Sequence, residues 1–205
     1  MAENLSALRI LGPARLSGEV SVTGAKNSAL KLMAASLLAP GKNTLHNVPE
    51  IKDVEIMSEL LTRLGCCVTF DRASRMMVID VPQEPGHKAE YELVRKMRAS
   101  INVLGPILTR TGIAEISLPG GDAIGSRGLD FHIAGLEALG ATINFEHGYI
   151  IATAPQGLKG GTFELAFPSV GATENLMTAA VLARGTSVLH NVAREPDISD
   201  LGQFL

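Results

Sequence analysis

Met33-Ala-Ala-Ser-Leu-Leu-Ala-Pro-Gly-Lys-Asn-Thr-Leu-His-Asn-Val48 returns later in the chain as Met177-Thr-Ala-Ala-Val-Leu-Ala-Arg-Gly-Thr-Ser-Val-Leu-His-Asn-Val192. A weaker middle copy runs from Leu104 to Pro119, where Ile107-Leu108 and Gly112 stand in place of Leu37-Leu38 and Gly41. Leu61-Thr-Arg-Leu-Gly-Cys-Cys-Val-Thr-Phe70 likewise matches Leu136-Glu-Ala-Leu-Gly-Ala-Thr-Ile-Asn-Phe145. A spacing of about 70 residues is too long for a helical solenoid, so each copy is a whole supersecondary unit.

Each unit reads the same way. The first copy predicts an Ala/Leu-rich helix over 26–39 ending at Gly41 as its cap, then a strand over 43–47 broken by Pro49. An amphipathic helix over 53–64 follows, closed by Gly65, and strands at 66–70 and 76–81 finish the unit. The second copy predicts helix 96–110, strand 114–118, helix 128–139 and strands 141–145 and 149–153. The third predicts helix 172–183, strand 186–190 and a helix from about 197 to the last residue, Leu205. By the repeat spacing that third unit lacks its last two strands, so we expect a piece of a longer chain.

Composition agrees with an α/β protein. The 205 residues are 46% hydrophobic and 19% charged, with 21 glycines and no Trp. That apolar content excludes a disordered chain, and no apolar window reaches the ~18 residues of a membrane span. A net charge of −3 without a Lys/Arg run gives no footprint for nucleic acid or an anionic membrane. The cysteines, Cys66 and Cys67, are adjacent and point to opposite faces of a strand. They make neither a disulfide framework nor a zinc site, and a reducing compartment follows. MAENLSALRI has no basic start and no apolar h-region, so the expected location is cytoplasmic.

Four places carry possible chemistry. Gly24-Ala-Lys-Asn27 leads directly into a helix, where free N–H groups, the dipole and the Lys26 charge suit a phosphate or carboxylate; a solvated lysine on a capped helix is the alternative. Lys96-Met-Arg-Ala-Ser100 opens the equivalent helix of the second unit. Cations at two matching helix starts oppose the dipoles unless an anion lies between them, although the acids Glu90 and Glu92 stand nearby. Leu118-Pro-Gly-Gly-Asp-Ala-Ile-Gly-Ser-Arg-Gly128 holds four glycines with Asp122 and Arg127; it reads as a ligand loop or as a flexible surface loop with a salt bridge. Phe167-Pro-Ser-Val-Gly-Ala-Thr-Glu174 starts the third unit's helix, with Ser169 or Thr173 as its cap, and the Asp130/His132 pair reads as structural.

Taken in order, Gly24-Ala-Lys-Asn27, Lys96-Met-Arg-Ala-Ser100, Ser117-Leu-Pro-Gly-Gly121, Asp130-Phe-His132, Ser169-Val-Gly-Ala-Thr173 and Ala193-Arg-Glu-Pro196 resemble the UDP-N-acetylglucosamine 1-carboxyvinyltransferase family of enolpyruvyl transferases. The resemblance spans the whole chain. It implies an inside-out α/β barrel domain of three βαβαββ units, with an active site in a cleft against a second such domain. Residues 25–205 would be this domain, incomplete in its third unit. Residues 1–24 would be strands packed with the missing C-terminal domain. It also implies transfer of the enolpyruvyl group of phosphoenolpyruvate to the 3′-hydroxyl of UDP-N-acetylglucosamine, by addition and elimination, without metal or organic cofactor. The substrates are the expected partners, and no nucleic acid or membrane is.

Carried over by position, Lys26, Asn27, Arg98 and Arg127 would hold phosphoenolpyruvate. Arg98, Arg127, Gly128, Leu129, Asp130 and Phe131, with Phe167, Pro168, Ser169 and Val170, would contact the sugar nucleotide. Gly128 and Phe131 depart from the commoner Pro and Leu. Asp122 stands where most of the family has a cysteine that protonates phosphoenolpyruvate and is alkylated by fosfomycin. An aspartate of ordinary pKa near 4 is ionised at pH 7, so its surroundings would have to raise that pKa for it to donate. Arg127 nearby would act in the opposite direction. The other readings are a non-catalytic nucleotide-sugar binding module and the sister 5-enolpyruvylshikimate-3-phosphate synthase activity.

Overall fold

The computed structural model describes residues 9–89, 91–94, 97–118 and 128–205. The first unit runs α1 (Lys26–Ala35), a 3₁₀ turn (Ser36–Leu38), β1 (Gly41–Leu45), α2 (Lys52–Arg63), β2 (Cys67–Asp71) and β3 (Met76–Val81). Its antiparallel sheet has the order β1-β3-β2. The second unit runs β4 (Lys88–Ala89), α3 (Tyr91–Val94), a 3₁₀ helix (Arg98–Val103), α4 (Leu104–Thr111), β5 (Ile113–Ser117), α5 (Asp130–Ala138), β6 (Thr142–Glu146) and β7 (Tyr149–Thr153), with sheet order β4-β5-β7-β6. The third has β8 (Thr162–Glu164), α6 (Val170–Val181), β9 (Val188–His190) and α7 (Pro196–Phe204), with β8 parallel to β9.

The helices lie inside and the sheets outside. The Arg98–Val103 segment packs on both α1 and α6, and α4 lies along α6. Leu30 and Met33, Leu104 and Ile107, and Leu176 from those helices are fully buried. Each such side chain contributes about 1.5–3 kcal/mol by leaving water. β2 and β6 keep mostly exposed residues on one face, as expected for outer sheets covered on a single side. Arg110 at the end of α4 ties the first two units together, donating to the carbonyls of Leu37 at 2.7 Å and Pro82 at 2.6 Å.

α2 follows its pattern closely. Val54, Met57, Leu60 and Leu61 are spaced for one face and all are buried, and Gly65 follows at φ 93°. The repeat reaches the backbone: Asn47 and Asn191, equivalent in the His-Asn-Val copies, both adopt left-handed φ, at 57° and 51°.

Three expectations are corrected. The helix over 26–39 turns 3₁₀ after Ala35, because the Ser36 hydroxyl donates to the Leu32 carbonyl and Ala39, preceding Pro40, is extended. Gly41 therefore opens β1 rather than capping the helix. The helix over 96–110 is split at Leu104: the Gly105 N–H is taken by Asn175 and Pro106 has no N–H, so the α ladder cannot extend backwards. β4 and β8, parallel strands that precede the first helices of units two and three, had no forecast. Residues 9–25 form neither helix nor strand, and Ile10, Leu11, Leu16, Val20 and Val22 there are exposed. Among the described residues no helix is long and apolar enough to cross a membrane.

Candidate functional site

The predicted site residues stand at the starts of four helical segments. Lys26 and Asn27 open α1, whose N-cap Ala25 offers no side-chain cap and whose first turn holds no acid, so its end N–H groups are left for other acceptors. Arg98 opens the 3₁₀ helix of unit two. Leu129 and Asp130 start α5, with Phe131 half-buried behind them. Gly128 turns tightly before it: a Cβ there would lie 2.4 Å from Asp130 Oδ1. Ser169 caps α6, its hydroxyl accepting the Ala172 N–H at 3.4 Å, while the Thr173 hydroxyl donates to the Ser169 carbonyl at 2.8 Å. Lys96, Asp122 and Arg127 lie outside the described residues.

Lys26 does not stand alone at its helix start. Its ammonium forms an ion pair with Asp53 in the first turn of α2. With the Lys26 side chain 57% exposed, such a pair is worth less than about 1 kcal/mol and can exchange for a more strongly charged ligand. Phe167 and Pro168 are exposed ahead of α6, and Pro168 borders an open pocket of about 660 Å³ whose other wall is residues 189–195. Arg194 and Glu195, in the Ala193-Arg-Glu-Pro196 motif, thus share a pocket with Pro168.

Behind these helix starts lies a buried polar cluster absent from the sequence reading. Lys31 of α1 pairs with Glu174 of α6 and, at 3.3 Å, with Asp197 of α7. Ser28 donates to the other Asp197 oxygen at 3.3 Å, and Asn102 donates to Glu174 at 3.4 Å. Glu174 is 2% exposed, and burial pushes its carboxyl from 4.5 up to about 7 against the pull of Lys31. Next to it, Asn175 accepts the Gly105 N–H at 2.6 Å and donates to the Ile101 carbonyl at 3.3 Å. Lys31, Asn102 and Glu174 each stand four or five residues into their helices, so three predicted anion-site helix starts lie within about 8 Å along the axis of one cluster. The available signals were Lys31 within the Ala/Leu-rich α1 and Glu174-Asn175 within α6.

Three units of mixed α/β structure, with helices inside, sheets outside and their helix starts gathered, define an enolpyruvyl transferase domain. The chain belongs to the EPSP synthase (3-phosphoshikimate 1-carboxyvinyltransferase) family, whose pattern matches residues 10–205. It is 54% identical over 196 residues to a UDP-N-acetylglucosamine 1-carboxyvinyltransferase of Corynebacterium jeikeium, covering 96% of this chain and 46% of that protein. A relative of the same name from Caulobacter vibrioides is 49% identical over 203 residues, covering 98% and 47%. The enolpyruvyl transferase NikO of Streptomyces tendae superposes with a TM-score of 0.81 at 21% identity, over 94% of this chain and 45% of that one. EPSP synthase from Acinetobacter baumannii superposes at 0.67 with 18% identity, over 89% and 42%. The chain spans about half the length of the curated relatives it matches.

Proposed function

We propose that the polypeptide carrying this chain transfers the enolpyruvyl group of phosphoenolpyruvate to the 3′-hydroxyl of UDP-N-acetylglucosamine, releasing phosphate. The observation that carries this reading is the 54% identity across 96% of the chain to a relative bearing that name. The step opens peptidoglycan synthesis, and with it cell-wall growth, cell shape and division, in the cytoplasm.

Lys26 and Asn27, with Arg98 and Arg127, hold the phosphate and carboxylate of phosphoenolpyruvate. Gly128–Phe131 and Phe167–Val170 take the sugar nucleotide. The hydroxyl oxygen bonds to C2 of phosphoenolpyruvate and gives up its proton, which leaves with the departing phosphate, while Asp122 gives its proton to C3. The tetrahedral adduct then loses phosphate from C2 and returns a proton from C3 to Asp122, restoring the double bond. Cations fixed beforehand at helix starts stabilise the charge of two anionic substrates without reorganising. A general acid at that position needs its carboxyl held protonated, which exclusion of water favours. Residues 25–205 act as one domain of the cleft; the exposed Ile10, Leu11, Leu16, Val20 and Val22 support packing of the N-terminal segment on another body.

The sister reaction on a shikimate phosphate fits less well, because relatives 49–54% identical to this chain bear the sugar-nucleotide name, whereas the EPSP synthase structure is 18% identical. The test is phosphate release from phosphoenolpyruvate with each acceptor, using the product of the complete open reading frame beside residues 1–205 alone. We expect turnover with UDP-N-acetylglucosamine only, and none from residues 1–205. Turnover with shikimate 3-phosphate, or binding of the sugar nucleotide without turnover by the complete product, overturns the reading.

A further inference from the structure

The buried side chain of Asn175 meets three partners from two other segments. Its Oδ1 accepts the Gly105 N–H at 2.6 Å, which fixes the orientation of the amide, since an NH₂ group there would face a donor. Both Nδ2 hydrogens are then spent, one on the Ile101 carbonyl at 3.3 Å and one on Nδ1 of His132 at 3.0 Å. His132 Nδ1 must therefore accept, so the ring is neutral with its proton on Nε2. Both side chains are buried, Asn175 at 0% and His132 at 4% exposure.

The segments joined are the ones that carry the proposed site. His132 stands in the first turn of α5, directly after Leu129–Phe131. Ile101 and Gly105 belong to the stretch opened by Arg98. Asn175 itself lies in the second turn of α6, after the Ser169 cap, and its neighbour Glu174 reaches α1 through Lys31. The starts of α5 and α6 also adjoin directly, since a Cβ on Gly171 would lie 3.5 Å from the His132 ring, and Asn175 adds the Arg98 segment to them.

We propose that Asn175 is a positioning residue for the sugar-nucleotide site: through His132 it sets the start of α5, and through Gly105 and Ile101 it sets the Arg98 segment, both against the start of α6. The inference rests on the proposed transferase reading. An interior amide used only for packing would set stability. One used for positioning sets where Gly128–Phe131 and Phe167–Val170 stand relative to each other, and an error of about 1 Å there costs on the order of 100-fold.

The experiment uses the complete open reading frame product with Asn175→Asp and, separately, His132→Leu. Asn175→Asp keeps the shape and the bond from Gly105 but turns a donor into an acceptor toward His132. His132→Leu removes the Asn175 partner on α5 and leaves the Gly105 and Ile101 bonds of Asn175 in place. For both we expect KM for UDP-N-acetylglucosamine to rise tenfold or more; KM for phosphoenolpyruvate changes less than threefold in His132→Leu, whereas Asn175→Asp, which also disturbs the Arg98 segment, raises it as well. In the parent, ¹⁵N signals of His132 should show the Nε2–H tautomer, and in Asn175→Asp the proton should move to Nδ1. If either folded variant melts lower yet keeps the parent's KM for the sugar nucleotide, Asn175 is a packing residue and the proposal falls. A parent without transferase activity removes the functional reading, and an Nδ1–H tautomer in that same parent removes the positioning argument independently.

Discussion

A methyl group on Gly105 would stand 2.5 Å from Asn175 Oδ1, the atom that accepts the Gly105 N–H at 2.6 Å. It would also lie 2.4 Å from the Asn175 carbonyl oxygen and 2.8 Å from Thr178 Oγ1. Glycine is therefore what lets α4 approach α6 closely enough for that bond, whatever its conformational freedom.

Gly105→Ala should cost about 1–3 kcal/mol, the usual range for forcing an extra methyl into a packed interior. For a chain of this size that is a drop of several degrees in Tm. A thermal melt followed by circular dichroism decides it, and an unchanged Tm would show that α4 and α6 can separate freely.

Glu174 makes stability depend on pH. Its carboxyl is raised in the folded chain from 4.5 to about 7, chiefly by burial, so the folded state holds its proton more tightly than the unfolded state does. The resulting contribution is fully present below pH 4.5 and is lost as pH rises through about 7. The Tm of the parent minus that of Glu174→Gln should accordingly fall between those two values and level off above them. A difference flat with pH would mean that Lys31 holds Glu174 ionised throughout.

Lys26 separates function from stability. Its only described partner is Asp53, in a pair open to solvent, so Lys26→Ala should change stability by less than about 1 kcal/mol. In the complete product the same change should raise KM for phosphoenolpyruvate at least tenfold or lower kcat comparably. Activity within threefold of the parent, with a collapsed Tm, would leave Lys26 a surface ion-pair residue.

Asp122 predicts resistance to fosfomycin, since a carboxylate is a much weaker nucleophile toward an epoxide than a thiolate. Cys66 and Cys67 offer no substitute: Cys66 is buried with its thiol pushed up to about 11 by burial, and β2, where Cys67 stands exposed, belongs to another unit. Intact mass after incubation should show no adduct on the parent and one on Asp122→Cys, which keeps its activity. Asp122→Asn, lacking the transferable proton, should be inactive; turnover at the parent's rate would remove Asp122 as the acid.

Much of this was readable without coordinates. Local regularities carry that information: apolar spacing at 54, 57, 60 and 61 makes α2, glycines at 65 and 112 end helices, and the copied His-Asn-Val places two left-handed turns. The repeat and the motifs placed the predicted residues before helices, and the described ones stand there. Strands of two and three residues, β4 and β8, were beyond reach because so short a stretch has no period to detect. Nor could local pattern show that α4 starts at Leu104, since the acceptor that takes the Gly105 N–H comes from seventy residues further on. Lys31, Glu174 and Asn175 look like misfits within apolar helices. Only the packing of the helices brings them to one another, where each desolvated charge or amide finds its partner and ties the four site-bearing segments together.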